Sequence, residues 1–277
     1  MRFKRRESGL LAPEEGLSMP RLNLRGVERV DPASMGTLVG AQPPPTQTYI
    51  EKVLSYSPLA YWPLNETSGT VADNAEGTAS MDGAYLNTPT LNQAGIGDGE
   101  GAPLFAPVSV ENVNIYSAAL RDAWDFNSGT VQIWARVRAA SVWSDSTYRC
   151  FLTFGDYSTE YVQIGKTNAA NTLRLFYYAD ATADSVTTTL STTDWFHLAM
   201  TWDLTADELK FFVNGSQVGS TQTGLGVWNA AFTTSGCRIA AAGPNSWDQL
   251  WDGYAAHPAV FTSVLSDPNI ADLATLG

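Results

Sequence analysis

Residues 130–138, Thr-Val-Gln-Ile-Trp-Ala-Arg-Val-Arg, alternate between Val131, Ile133, Ala135 and Val137 on one side and Gln132, Trp134, Arg136 and Arg138 on the other. A period of two sustained over nine residues is that of a half-buried strand, so the chain must supply another layer to cover its apolar face. Further strand-like runs occupy 150–154, 161–164, 173–178, 186–190, 196–202 and 209–213. Most are short, rich in aromatic or β-branched side chains, and bounded by Gly, Asn, Asp, Ser or Thr.

Asn214-Gly215 sits between Lys210-Phe211-Phe212-Val213 and Ser216-Gln217-Val218. Both central residues of a type I′ turn need positive φ, which Asn and Gly tolerate best, so this pair predicts a tight hairpin. Convincing helical periodicity appears only at the end. There Asp267 can cap, Pro268 suits the first helical position, and Ile270, Leu273 and Ala274 recur at helical spacing. Many short strands with turn signals and almost no helix predict an all-β, antiparallel two-sheet sandwich with one short C-terminal helix.

Charge divides the chain. Residues 1–30 hold seven Lys or Arg against four acidic residues, whereas the remainder holds nine against 24. An acidic globule repels phosphates, which argues against nucleic acid as its partner. No apolar run approaches the roughly 20 residues of a membrane span, and no signal peptide is visible. Residues 1–48 carry Pro13, Pro20, Pro32 and Pro43-Pro44-Pro45 with no sustained period. Such a segment cannot bury enough apolar surface alone to offset backbone entropy. Arg2, Lys4, Arg5 and Arg6, with the anchors Leu22, Leu24 and Val27, are expected to make it an extended docking arm for a protein partner.

Ordered motifs point to a family. Ala60-Tyr61-Trp62-Pro63-Leu64-Asn65-Glu66 is followed by Gly69, Asp73 and Asp82-Gly83. Trp195-Phe196-His197-Leu198-Ala199-Met200-Thr201-Trp202-Asp203 then runs into the Asn214-Gly215 hairpin. Arg238-Ile239-Ala240, Trp251-Asp252-Gly253, Ala259-Val260-Phe261 and Leu265-Ser266-Asp267 close the series. Over residues 53–277 this order resembles the laminin-G-like branch of the concanavalin A-like jelly rolls. Such domains occur in secreted glycan-binding proteins, in pentraxin-like modules and as appendages on bacteriophage virion proteins, so the resemblance implies a binding surface before it implies chemistry.

Catalysis finds little support in the residues. Retaining hydrolases of this fold set two Glu on one strand with their carboxylates about 5 Å apart, and no Glu-x-Asp-x-x-Glu arrangement is present. Glu160 and Glu208 stand alone. Of the two histidines, His197 is expected to serve the core or the sheet, and no Ser/His/Asp or Cys/His set can be assembled. Cys150 and Cys237 are expected to be buried free thiols.

Binding is the stronger expectation. Related modules hold calcium in the loop after the Tyr61-Trp62 strand, where Asp73, Asn74 and Asp82 offer hard oxygen ligands or simply form turns. Trp228, Asn245, Trp247, Asp248 and Trp251 combine flat apolar faces with amide and carboxylate groups, suiting a sugar, a protein partner or plain packing.

The expectation is a docking arm over 1–48 and a laminin-G-like jelly roll over 49–277. Functionally it is a non-enzymatic virion accessory protein of a tailed bacteriophage, in a decoration, neck or tail position. It would be assembled in the host cytoplasm, oligomeric in the particle, and in contact with other virion proteins and a cell-surface or environmental glycan. The alternatives are a secreted or surface lectin-like module and a glycan-active enzyme.

Overall fold

The computed structural model describes residues 47–229, 231–243 and 249–276. The chain divides into units 1–45 and 46–277, and the docking-arm residues Arg2, Lys4, Arg5, Arg6, Leu22, Leu24 and Val27 lie outside the described residues.

The second unit opens with helix α1 (Tyr49–Ser55), which the search for periodicity overlooks. Seven residues are too few to display a period, but a capping box marks the start. Glu51 N–H donates to Thr48 Oγ1 at 3.2 Å, and Thr48 N–H donates to the Glu51 carboxylate at 2.8 Å. Strands β1 (Ala60–Tyr61), β2 (Val71–Ala72), β3 (Gly83–Leu86), β4 (Thr90–Ala94), β5 (Gly101–Phe105) and β6 (Asn112–Asn114) follow. Next come α2 (Ala118–Ala123), β7 (Ser128–Val137), α3 (Ser141–Ser144), β8 (Arg149–Gly155), β9 (Tyr161–Lys166), β10 (Thr172–Ala179) and β11 (Thr182–Thr189). The last elements are β12 (Phe196–Asp203), β13 (Glu208–Val213), β14 (Ser216–Gln222), β15 (Arg238–Ile239), β16 (Gly253–Phe261) and α4 (Asp267–Leu273).

These strands form two antiparallel eight-stranded sheets. Sheet A runs β14-β13-β12-β7-β16-β5-β4, with β1 also paired to β16; sheet B runs β11-β10-β9-β8-β15-β6-β3-β2. The neighbours β7 and β16 are far apart in sequence, as expected where long connections rather than successive hairpins build a jelly roll. The β13–β14 turn is the expected type I′, with Asn214 at φ 49° and Gly215 at φ 75°.

Between the sheets lies the main core. Val131, Ile133, Ala135 and Val137 of β7 pack there with Leu198, Met200 and Trp202 of β12, facing Phe154, Ile164, Leu175 and Tyr177 of sheet B. The second face of β7 is also buried, contrary to its half-buried pattern: Gln132 and Trp134 are both covered. Helices α1 and α4 lie over the outside of sheet A, where Tyr49, Val53, Ile270 and Leu273 pack with Tyr61, Trp134, Phe212 and Phe261. Each large apolar side chain buried in this third layer contributes about 1.5–3 kcal/mol. Helix α4 is capped by Ser266, whose Oγ accepts from Asn269 N–H, so Asp267 is its first residue and not its cap. Tyr49 ties the two helices together, donating from its hydroxyl to Leu273 O at 2.6 Å.

Candidate functional site

Helices α1 and α4 roof the outside of sheet A, whereas the outer face of sheet B carries half-buried side chains along β10. Along β10, burial alternates: Leu173, Leu175, Tyr177 and Ala179 enter the core, while Arg174, Phe176 and Tyr178 point outward and remain half-buried. Antiparallel pairing sets Tyr161 of β9 opposite Tyr178 and Gln163 opposite Phe176, so these side chains share that face. On the other flank, the exposed residues Ala183, Ser185 and Thr187 of β11 stand opposite Tyr178, Phe176 and Arg174.

The rings form a shelf. Phe176 and Tyr178 stack in parallel, with centroids 6.1 Å apart and planes only 13° from parallel. Tyr161 closes the shelf at 5.6 Å from Phe176 and 5.7 Å from Tyr178, and Tyr157 extends it 5.8 Å beyond Tyr161. At the other end the Arg174 guanidinium lies 4.8 Å from the Phe176 centroid and 5.9 Å from that of the exposed Tyr148. Gln163, itself buried, accepts from Arg174 Nη2 at 2.9 Å and so fixes the guanidinium plane. Burial pushes the Tyr161 phenol up, against a smaller lowering by the Arg174 charge, so it stays a hydrogen-bond donor. A cluster of half-buried rings bordered by a guanidinium and hydroxyls can give apolar contact to a sugar ring and bond its edge; convergent polar groups on an aromatic ground are the usual composition of a binding site.

The residues expected from sequence fare differently. Trp228 is buried in the core, 6.1 Å from Trp202 and 6.0 Å from Tyr177, and offers no surface. Trp251 is fully buried against Phe151, centroids 4.1 Å apart, and its Nε1 donates to Tyr254 O. Both are corrected to packing residues: in this sandwich even loop-borne tryptophans fold inward to fill space between the sheets. Asn245, Trp247 and Asp248 lie outside the described residues.

The calcium candidates build their loop by hydrogen bonds. Asn74 Oδ1 accepts from Tyr61 N–H at 2.9 Å, Asp82 Oδ1 accepts from Asn74 N–H at 2.9 Å, and Asp73 N–H donates to Glu66. That is the turn-forming role open to Asp and Asn. Among the described residues, no group of three or more His, Cys, Asp or Glu side chains is placed to hold a metal.

His197 is fully buried with Nε2 2.7 Å from Gln132 Oε1, a sheet-bonding role. Glu160 accepts from Asn229 N–H, and Asp207 accepts from the N–H groups of Gly224 and Leu225. Cys150 and Cys237 are free and buried.

Sequence reasoning passed over Arg174, Phe176, Tyr178 and Tyr161. A signal existed: in Leu-Arg-Leu-Phe-Tyr-Tyr-Ala both alternating sets contain aromatics, and a sandwich strand has only one face in the core. The neighbourhood of Tyr161 follows only from the β9–β10 register.

No curated protein matches the sequence. Among solved structures, domain 4 of AbnA, an extracellular arabinanase from Geobacillus stearothermophilus solved with arabinotriose, is similar at TM-score 0.56 and 14% identity, over 78% of this chain and 97% of that one. The botulinum neurotoxin serotype D ligand-binding domain with N-acetylneuraminic acid is similar at TM-score 0.55 and 11% identity, over 79% and 50%. The botulinum neurotoxin DC binding domain with rat synaptotagmin II gives TM-score 0.55 and 13% identity, over 79% and 51%. This chain thus spans about half the length of those toxin domains. At such identities the likeness concerns the fold. The family model, Laminin_G_3, matches residues 117–271, from α2 to within α4, and with two antiparallel sheets around one core the chain belongs to the concanavalin A-like lectin/glucanases superfamily.

Proposed function

We propose that the jelly roll is a non-enzymatic adhesion module that binds glycan on the outer face of sheet B, and that residues 1–48 attach it to a larger assembly. The assembly in this reading is the virion of a tailed bacteriophage, with the chain in a decoration, neck or tail position. The observation that carries the binding half is the half-buried ring shelf of Phe176, Tyr178 and Tyr161 beside a fixed guanidinium. The arabinotriose and N-acetylneuraminic acid complexes of similarly folded domains support it by analogy.

The carboxylates near the shelf favour binding over turnover. Burial is the largest influence on the Asp156 carboxyl and acts upward, but the Thr159 hydroxyl and the N–H groups of Ser158, Thr159 and Glu160 donate to it and hold it below the usual range. It stabilises its loop and is poorly suited to give up or take a proton at neutral pH. The reading requires no cofactor.

Support for the assembly half lies in the sequence: a basic, proline-containing arm on an acidic globule. Ordering such an arm on a partner costs about 2–5 kcal/mol, which buried anchors would outweigh. Many copies would let weak glycan contacts add by avidity.

Two measurements test the halves separately. Retardation of the full chain in native gels containing polysaccharide tests the face, and no retardation by any polymer counts against it. Quantitative mass spectrometry of gradient-purified particles tests attachment: the reading expects the chain at a fixed ratio to the major capsid protein and its loss when residues 2–48 are deleted. Unchanged incorporation after that deletion rejects the arm's role.

A further inference from the structure

Among the described residues, most cations are neutralised in place. Lys52, Arg138, Arg149, Lys166 and Lys210 each contact a carboxylate within the domain. Arg174, like Arg136 over Trp195 and Tyr254, does not: its contacts are one amide oxygen and two rings. A half-buried guanidinium beside the shelf thus has no protein carboxylate among the described residues.

Its setting is a prepared one. The Gln163 amide bonds Nη2, and the ring of Phe176 supports the guanidinium from 4.8 Å. Among the described residues Nε and Nη1 make no hydrogen bond and Nη2 keeps a second N–H beside the one on Gln163, so one parallel donor pair of the guanidinium, Nη2 with Nε or with Nη1, is left to be satisfied. A carboxylate matches such a pair in shape and charge, and an arginine already fixed loses little side-chain entropy on pairing. Gly165 stands directly opposite Arg174 on β9, so no neighbouring side chain rises at that position of the strand.

Resting on the reading of this face as a glycan platform, we infer that its ligand is an acidic polysaccharide, with Arg174 pairing with a uronate carboxylate while Phe176 and Tyr178 stack the sugar rings. Arg174 is then the specificity residue and the shelf supplies contact common to acidic and neutral sugars. The negative charge of the globule opposes a polyanion, but beyond about 8 Å that opposition is screened at physiological salt, whereas the contact pair is not. Local complementarity decides recognition, and the net charge sets only the approach rate.

The test uses the full chain with polygalacturonate, alginate and hyaluronate, each beside a counterpart whose carboxylates have been esterified. The expected result is binding to at least one acid polymer that falls tenfold or more on esterification. Arg174→Gln should bring the acid polymer down to the level of its ester, and Arg174→Lys should recover part of the loss. Failure of all three acid polymers, or equal binding of acid and ester by the parent chain, overturns the inference. Binding of neutral polymers alone, lost in Tyr178→Ala, removes the charged step and leaves the glycan platform standing. Binding unaffected by Tyr178→Ala removes both. Unchanged thermal midpoints in the exposed-face variants separate these outcomes from misfolding.

Discussion

The hydroxyl of Tyr61 lies 2.6 Å from Nδ1 of His257, a residue 196 positions later in the chain. Burial pushes the Tyr61 phenol far above its usual range, so the hydroxyl keeps its proton and the two groups share one short hydrogen bond. Nε2 then faces Asp98 Oδ2 at 3.0 Å, a close contact bent away from ideal hydrogen-bond geometry. Burial raises the Asp98 carboxyl, but the His257 contacts together with backbone hydrogen bonds from Glu100 and Asp98 hold the group below the usual carboxylate range. Tyr49 of α1 sets its ring edge on the His257 ring, centroids 4.7 Å apart, so the polar chain lies directly beneath α1.

Tyr61→Phe keeps the ring and removes the hydroxyl, leaving Nδ1 buried without its partner. The expected cost is about 1–3 kcal/mol, read as a lower urea midpoint at unchanged slope.

His197 gives the fold an acid limit. Burial lowers its pKa from 6.5 to about 3, so the native state holds the ring neutral while the unfolded chain protonates it. The unfolded state therefore binds more protons between these values. This contribution is fully present above about pH 6.5 and is lost as pH falls toward 3, at up to about 1.4 kcal/mol per pH unit. Asp98, also lowered, acts in the same direction at lower pH. Denaturant midpoints taken from pH 7 to 4 should fall, and His197→Gln should flatten the upper part of that curve even if its stability at pH 7 is lower.

Gly129 pairs with Trp202 across β7 and β12, and the indole lies over the glycine. A Cβ there would stand 2.6 Å from Trp202 Cζ2 and 2.8 Å from Cη2. Because Trp202 is fully buried and cannot swing outward, Gly129→Ala should cost about 1–3 kcal/mol through overpacking, seen as a lower thermal midpoint.

Burial pushes both Cys150 and Cys237 up to about 12, which suppresses the reactive thiolate at neutral pH. A chromogenic thiol reagent should leave the native domain unmodified at pH 8 and titrate both thiols once denaturant is added.

The sequence displayed the sandwich more openly than its surface. Period two in β7, aromatic or β-branched runs in β8 to β13 and Asn214-Gly215 each carry a local signal that packing reinforced. Trp202 was readable as core, but the reason it fits is Gly129, whose role exists only in the register. The roof over sheet A was hidden because α1 is short and its contacts reach across the whole chain, from Tyr49 to Leu273. That roof is also why Gln132 and Trp134, polar by pattern, are buried. For the site, composition pointed to tryptophans near the end of the chain, while burial took Trp228 and Trp251 inward and left Phe176 and Tyr178 outside. A large ring serves core and surface alike, so residue type alone could not separate them.

The most direct measurement is a glycan-array profile of the full chain beside that of a Phe176→Ala, Tyr178→Ala double variant matched for thermal midpoint. The account predicts a glycan signal for the parent chain that falls at least tenfold in the variant. Equal signals from the two proteins would contradict it.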